Sequence, residues 1–134
     1  MISRIASLLV ATTGVLALAA GPSVAATPAG TSCPTLANTP CAWHQPTGTG
    51  TGIIGSASIN AASSSQLTML RVEVKVQRAW GSPWQTVASA TRIQSGSIQL
   101  STPAVTTDFL TLVCATGGPA GRVDLQSTTC TNPH

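Results

Sequence analysis

Tyrosine is absent from this sequence, phenylalanine occurs once, and charge is scarce: six basic and three acidic side chains are spread over 134 residues. Between Arg4 and Arg71 there is no Asp, Glu, Lys or Arg at all. Binding to a phosphate backbone needs several clustered Lys or Arg, so nucleic acid is excluded as a partner. Histidine occurs twice. His44 lies in a Thr/Gly/Pro-rich stretch and His134 is the last residue, so neither is expected on an element that would hold it in reach of a proton to be moved. Of the carboxylates, Glu73 lies between two cations, Asp124 alternates outward and Asp108 opens a strand, and all three read as solvated surface. The glycines at 48, 50 and 52 sit among threonines with no helix to follow, which rules out a phosphate cradle. No segment carries the apolar period of an amphipathic helix. Catalysis is therefore not expected, and no cofactor is implied.

What is present begins with an address. Met1 to Arg4 carries one positive charge, Ile5 to Ala20 is an apolar run, and Gly21-Pro22 breaks it before the small residues Ser23 to Ala26. That order is a signal peptide over 1–26, cleaved after Ala25 or Ala26. A retained anchor is the competing reading, because the uncharged stretch is long enough to span a bilayer. It is disfavoured by the shortness of the apolar part and its helix-breaking end. The mature part would hold five basic and three acidic residues, a net +2, on a surface solvated mainly by Ser, Thr, Asn and Gln.

All four cysteines, Cys33, Cys41, Cys114 and Cys130, follow the address. In an exported chain an even count reads as two disulfides, and neither pair has the two-to-four-residue spacing of a zinc site, so no metal is expected. Sequence proximity favours Cys33 with Cys41 and Cys114 with Cys130. Against the second pair, a hairpin closed at Gly117–Gly121 would set Asp124 opposite Cys114 and leave Cys130 about 20 Å further along. The Ser/Thr-rich end would then have to bend back. Each crosslink is worth roughly 2–4 kcal/mol, which matters for a core with one Phe.

Composition divides the mature chain near residue 65. Residues 27–65 are rich in Thr, Gly, Ala, Ser and Pro and read as a flexible arm, with Gly52–Ile59 as a short first strand inside it. Residues 66–134 read as the folded domain. Leu70, Val72, Val74 and Val76 alternate with Arg71, Glu73, Lys75 and Gln77, the period of a strand with one face buried. A turn at Gly81-Ser82-Pro83 leads into a return strand over 85–91, a second turn surrounds Ser95-Gly96, and 109–115 and 122–127 read as further strands. Five to seven short strands with these turns predict an all-β antiparallel sandwich, the alternative being a small barrel.

The stretch Leu70 to Arg78, followed by Trp84 to Ser89, resembles a hairpin of secreted bacterial immunoglobulin-like or fibronectin-like modules. The Ala/Thr/Gly-rich composition is similar to that of small exported proteins of high-GC Gram-positive bacteria. The resemblance covers about a fifth of the mature chain and implies architecture alone. The secreted amylase inhibitors with two disulfides are a poorer match, since their Trp-Arg-Tyr triplet is missing.

The tryptophans Trp80, Trp84 and Trp43 are the candidates for ligand binding. With a three-residue turn, Trp80 and Trp84 would oppose each other on the face of Val72, Val74 and Val76 and cap the core. The functional alternative is an exposed aromatic platform, and Trp43 would pin the arm to the sandwich. The expectation is a secreted, non-catalytic interaction module for an extracellular protein or polysaccharide, with cell-envelope polysaccharide in first place. The alternative is an inhibitor of an extracellular hydrolase, using the loop Cys33 to Cys41 stiffened by Pro34 and Pro40.

Overall fold

The computed structural model describes residues 33–48, 50 and 52–134. The expected signal peptide and residues 27–32 of the expected arm lie outside the described residues. The described chain forms β1 (Cys41–Pro46), β2 (Gly52–Ile59), β3 (Leu67–Gln77), β4 (Gln85–Ser95), β5 (Ile98–Ser101), β6 (Val105–Thr106), β7 (Leu110–Pro119) and β8 (Ser127–Cys130), with one 3-10 turn at Val123–Leu125. Two antiparallel sheets result. In the first, β2 is central, with β1 on one side and β5 and β6 on the other; the second runs β4-β3-β7-β8.

The alternation read from the sequence is what builds the second sheet. Leu70, Val72, Val74 and Val76 are all buried. The two central valines have small or β-branched partners: Val72 pairs with Ala90 and Ala115, and Val74 with Ala88 and Val113. The first sheet supplies Ala57, Ile59, Ile98 and Leu100 to the same core. On the opposite face of β3, Glu73 takes Arg71 at 2.7 Å and Lys75 at 3.4 Å.

Two parts of the stretch expected from composition to be a flexible arm, 41–46 and 52–59, are strands instead. β1 and β2 are integral strands, and Ala57 and Ile59 are among the most deeply buried residues. Small side chains are what the position needs. A Cβ at Gly55 would stand 2.6 Å from Val74 Cγ2 and 3.2 Å from Val113 Cγ1, so only glycine lets the sheets approach this closely. Between β5 and β6 the ladder to β2 is interrupted by Pro103, and Thr102 replaces it: its N–H donates to Gly55 O at 2.8 Å and its hydroxyl accepts from Gly55 N at 3.1 Å.

Both disulfides join the sequence-local pairs, Cys33 with Cys41 and Cys114 with Cys130. The expected obstacle to the second disappears because Gly117 and Gly118 do not turn the chain. They continue β7 to Pro119, the 3-10 turn takes up Val123–Leu125, and β8 then returns with Cys130 directly opposite Cys114. The strand expected over 122–127 is mostly this turn, where Asp124 accepts two hydrogen bonds from Arg122.

Candidate functional site: an exposed tryptophan beside a cationic cleft

β3 ends at Gln77 and β4 begins at Gln85, so seven residues connect them instead of the three expected. Within that loop Ser82 N–H donates to Ala79 O at 3.0 Å, closing a β-turn with Trp80 and Gly81 at its centre. Gly81 has φ +79° and Trp80 does not have a positive φ, the pattern of a type II turn that only glycine satisfies comfortably at its third position. The Ser82 side chain holds the turn again, accepting from Ala79 N at 3.1 Å and donating to Ala79 O at 2.7 Å, and Gln77 Nε2 donates to Ser82 O at 2.9 Å. The turn displays Trp80 to solvent: it is 96 % exposed. Trp80 and Trp84 therefore do not cap the core as an opposed pair, and Trp84 is half-buried at the far end of the loop.

Beside this turn lies a cleft of about 210 Å³ lined by Val76, Arg78, Val87, Val105, Thr106, Thr107 and Phe109. A bulge makes part of it. Val74 pairs with Ala88 but Lys75 pairs with Thr86, so Val87 is an extra residue in β4, and it lines the cleft. Arg78 stands at the rim with its guanidinium 5.3 Å from the Phe109 ring centroid and its Nε–H donated to Gln85 Oε1 at 3.1 Å. These two contacts orient the group without neutralising it.

The other described cations are engaged. Arg71 and Lys75 share Glu73, Arg122 is held by Asp124, and Arg92 donates from Nη1 to Gln99 O at 3.3 Å. Among the described residues Arg78 is the one cation whose terminal nitrogens have neither an ion pair nor a hydrogen bond to protein. Sequence reading passed over both Arg78 and Phe109. The signal available was the proximity of Arg78 to Trp80 on a turn; Phe109 is thirty-one residues away and joins only through the fold.

Trp43 belongs to β1 and is 5 % exposed, with its indole Nε1–H finding no acceptor among the described residues. It faces away from the core shared by the two sheets, opposite Ser56, and it is not available as a contact residue. His44 and His134, discounted as unpositioned, are brought together with ring centroids 3.9 Å apart. His44 is fixed by β1, and the tail carrying His134 pairs with Thr111 through Thr111 N to His134 O at 3.0 Å and His134 N to Thr111 O at 2.9 Å. Burial, then repulsion from His134, lowers the affinity of His44 for a proton. The Cys33–Cys41 loop, which precedes β1, carries Leu36, 69 % exposed. That loop is held through Asn38, which donates to Asn60 O at 2.7 Å and accepts from Gln66 Nε2 at 2.6 Å.

Among the described residues no group of three or more His, Cys, Asp or Glu is placed to hold a metal ion, and no helix is long and apolar enough to cross a membrane. Comparison with known proteins finds no family model, no curated protein and no solved structure that matches the chain.

Proposed function

We propose that this chain is an exported, non-catalytic binding module of immunoglobulin-like architecture that recognises a polysaccharide outside the cell, with cell-envelope polysaccharide as the first candidate. Trp80 carries the reading. A large aromatic ring held in water by a dedicated set of hydrogen bonds contributes little to the core, whereas the flat face of an indole suits the apolar face of a sugar ring. Phe109 and Val87 extend the apolar surface nearby, both also exposed. The disulfides and the sparse charge suit an oxidising exterior, where the address over 1–26 would deliver the chain. The test is co-sedimentation of the disulfide-intact protein with isolated cell wall and with insoluble polysaccharides. Binding that falls about tenfold or more in Trp80→Ala, equivalent to roughly 1.4 kcal/mol or more, supports the module. Equal binding by the variant removes Trp80 from the site.

A second reading rests on Leu36. An exposed leucine on a short loop closed by a disulfide and flanked by Pro34 and Pro40 is a pre-organised contact for an extracellular hydrolase. Inhibition of secreted hydrolases that is lost on reduction and in Leu36→Asp would favour it over the polysaccharide reading.

A further inference from the structure

We infer that the cleft beside Trp80 is a carboxylate site and that the polysaccharide this module binds is acidic, built from sugars that carry a carboxylate. This rests on the polysaccharide reading above and goes further by naming the ligand's charge. The argument starts from the distribution of charge among the described residues. Glu73 satisfies Arg71 and Lys75, and Asp124 satisfies Arg122, while Asp108 is not within ion-pairing distance of Arg78. Arg78 is left with its planar fork open and aimed by Gln85 and Phe109, and a guanidinium fork matches a carboxylate with two parallel hydrogen bonds.

The cleft's size limits what enters. At about 210 Å³ it is smaller than the roughly 300–1,000 Å³ of pockets that engulf a whole small molecule. It accepts one substituent while the rest of the ligand runs across the surface. Arg78 and Trp80 are two residues apart, so their α-carbons are at most about 7 Å from each other, a separation that neighbouring parts of one short oligosaccharide span. Val76, Val87, Val105 and Phe109 supply the apolar wall and Thr106 and Thr107 the hydroxyls, which suits a sugar's mixed surface better than a purely aliphatic acid.

The experiment uses the disulfide-intact protein and two probes with the same sugar backbone, one charged and one neutral: hexagalacturonate and its fully methyl-esterified form, titrated calorimetrically at low and physiological salt. The wild type is expected to prefer the acid by about tenfold, the difference shrinking as salt rises, and Arg78→Gln is expected to bind both alike. Arg78→Lys should recover part of the preference, since it restores charge but not the fork. If acid and ester bind wild type equally and both are weakened in Trp80→Ala, the carboxylate site is overturned while the polysaccharide module stands. If neither probe binds at millimolar concentration, but neutral cell-wall material is retained through Trp80, the inference is likewise overturned. Absence of binding to any polysaccharide removes both. Because Arg78 is exposed and outside the core, its variants should fold, which a near-UV circular dichroism spectrum matching wild type would verify.

Discussion

The rings of His44 and His134 meet with centroids 3.9 Å apart and planes tilted by 57°, tying the edge strand of the first sheet to the tail that lies along β7 of the second. Two imidazoles at this distance cannot both be charged without repulsion, and partial burial of His44 acts in the same direction. The folded protein thus holds fewer protons on His44 than the unfolded chain, whose value is about 6.5. The associated stability is complete above that value and is lost as pH falls from it through the lowered folded value. Thermal midpoints measured from pH 8 to 5 should decline in this acid window, and the decline should be shallower in His44→Gln. Superimposable pH profiles for the two proteins would show that the pair has no such role.

Trp80 and Trp43 should behave oppositely although both are tryptophan. Trp80→Ala is expected to leave stability within about 0.5 kcal/mol, since the ring packs against nothing that folding needs. Iodide should quench the emission that this variant loses and leave a shielded component from Trp43. If iodide quenches wild type and variant to the same extent, the exposed position of Trp80 is wrong.

At Trp43 the missing acceptor makes a distinctive prediction. Trp43→Phe removes a buried donor that has no partner among the described residues, worth about 1–3 kcal/mol of desolvation, while losing part of the ring's packing. The two effects oppose each other, so the change should be within about 1 kcal/mol of wild type, whereas Trp43→Ala should cost about 3–5 kcal/mol. Urea titration distinguishes these. A Phe variant as damaged as the Ala variant would mean that the indole N–H has an acceptor after all.

Gly55 is the close contact between the sheets. Gly55→Ala drives a methyl against the stiff, buried Val74 and should destabilise by about 1–3 kcal/mol. Because the clash is with one side chain foremost, the double variant Gly55→Ala/Val74→Ala should be less damaged than the two single effects combined, giving a coupling of at least about 0.5 kcal/mol. Strict additivity would contradict the contact.

Removing the Cys114–Cys130 bridge with paired alanines should cost about 3 kcal/mol, the value for a loop of its length, measured by denaturant midpoint. β8 keeps side-chain links without it, from Thr116 Oγ1 to Thr128 Oγ1 at 2.8 Å and from Val113 N to Thr131 Oγ1 at 3.0 Å. The strand should therefore stay paired in the folded form, with hydrogen exchange at Thr129 and Thr131, whose N–H groups face β7, faster than in wild type but still protected.

The sequence by itself determined the period-two face of β3, because Val and Leu alternating with charge leave a strand one way to face a core. The same local rules placed β2 at Gly52–Ile59, a turn at Gly96 and the presence of two disulfides, while the pairing of Cys114 with Cys130 was decided by the course of β7 and β8. The sequence could not reveal that residues 41–46 and the Gly- and Ser-rich residues 52–59 would be strands of the first sheet rather than part of an arm, because the burial of β2 depends on Gly55 admitting Val74 and Val113 from another sheet. Nor could it show that Gly117 and Gly118 extend β7, since a glycine pair permits a turn without requiring one. The site was decided by tertiary structure for the same reason. Trp80 is exposed because seven residues, not three, bridge β3 and β4; Phe109 reaches Arg78 from thirty-one residues away; and Arg78 stays unpaired because the fold commits Glu73 and Asp124 elsewhere. Contacts between residues distant in sequence depend on how the two sheets stack, and no local pattern encodes that distance.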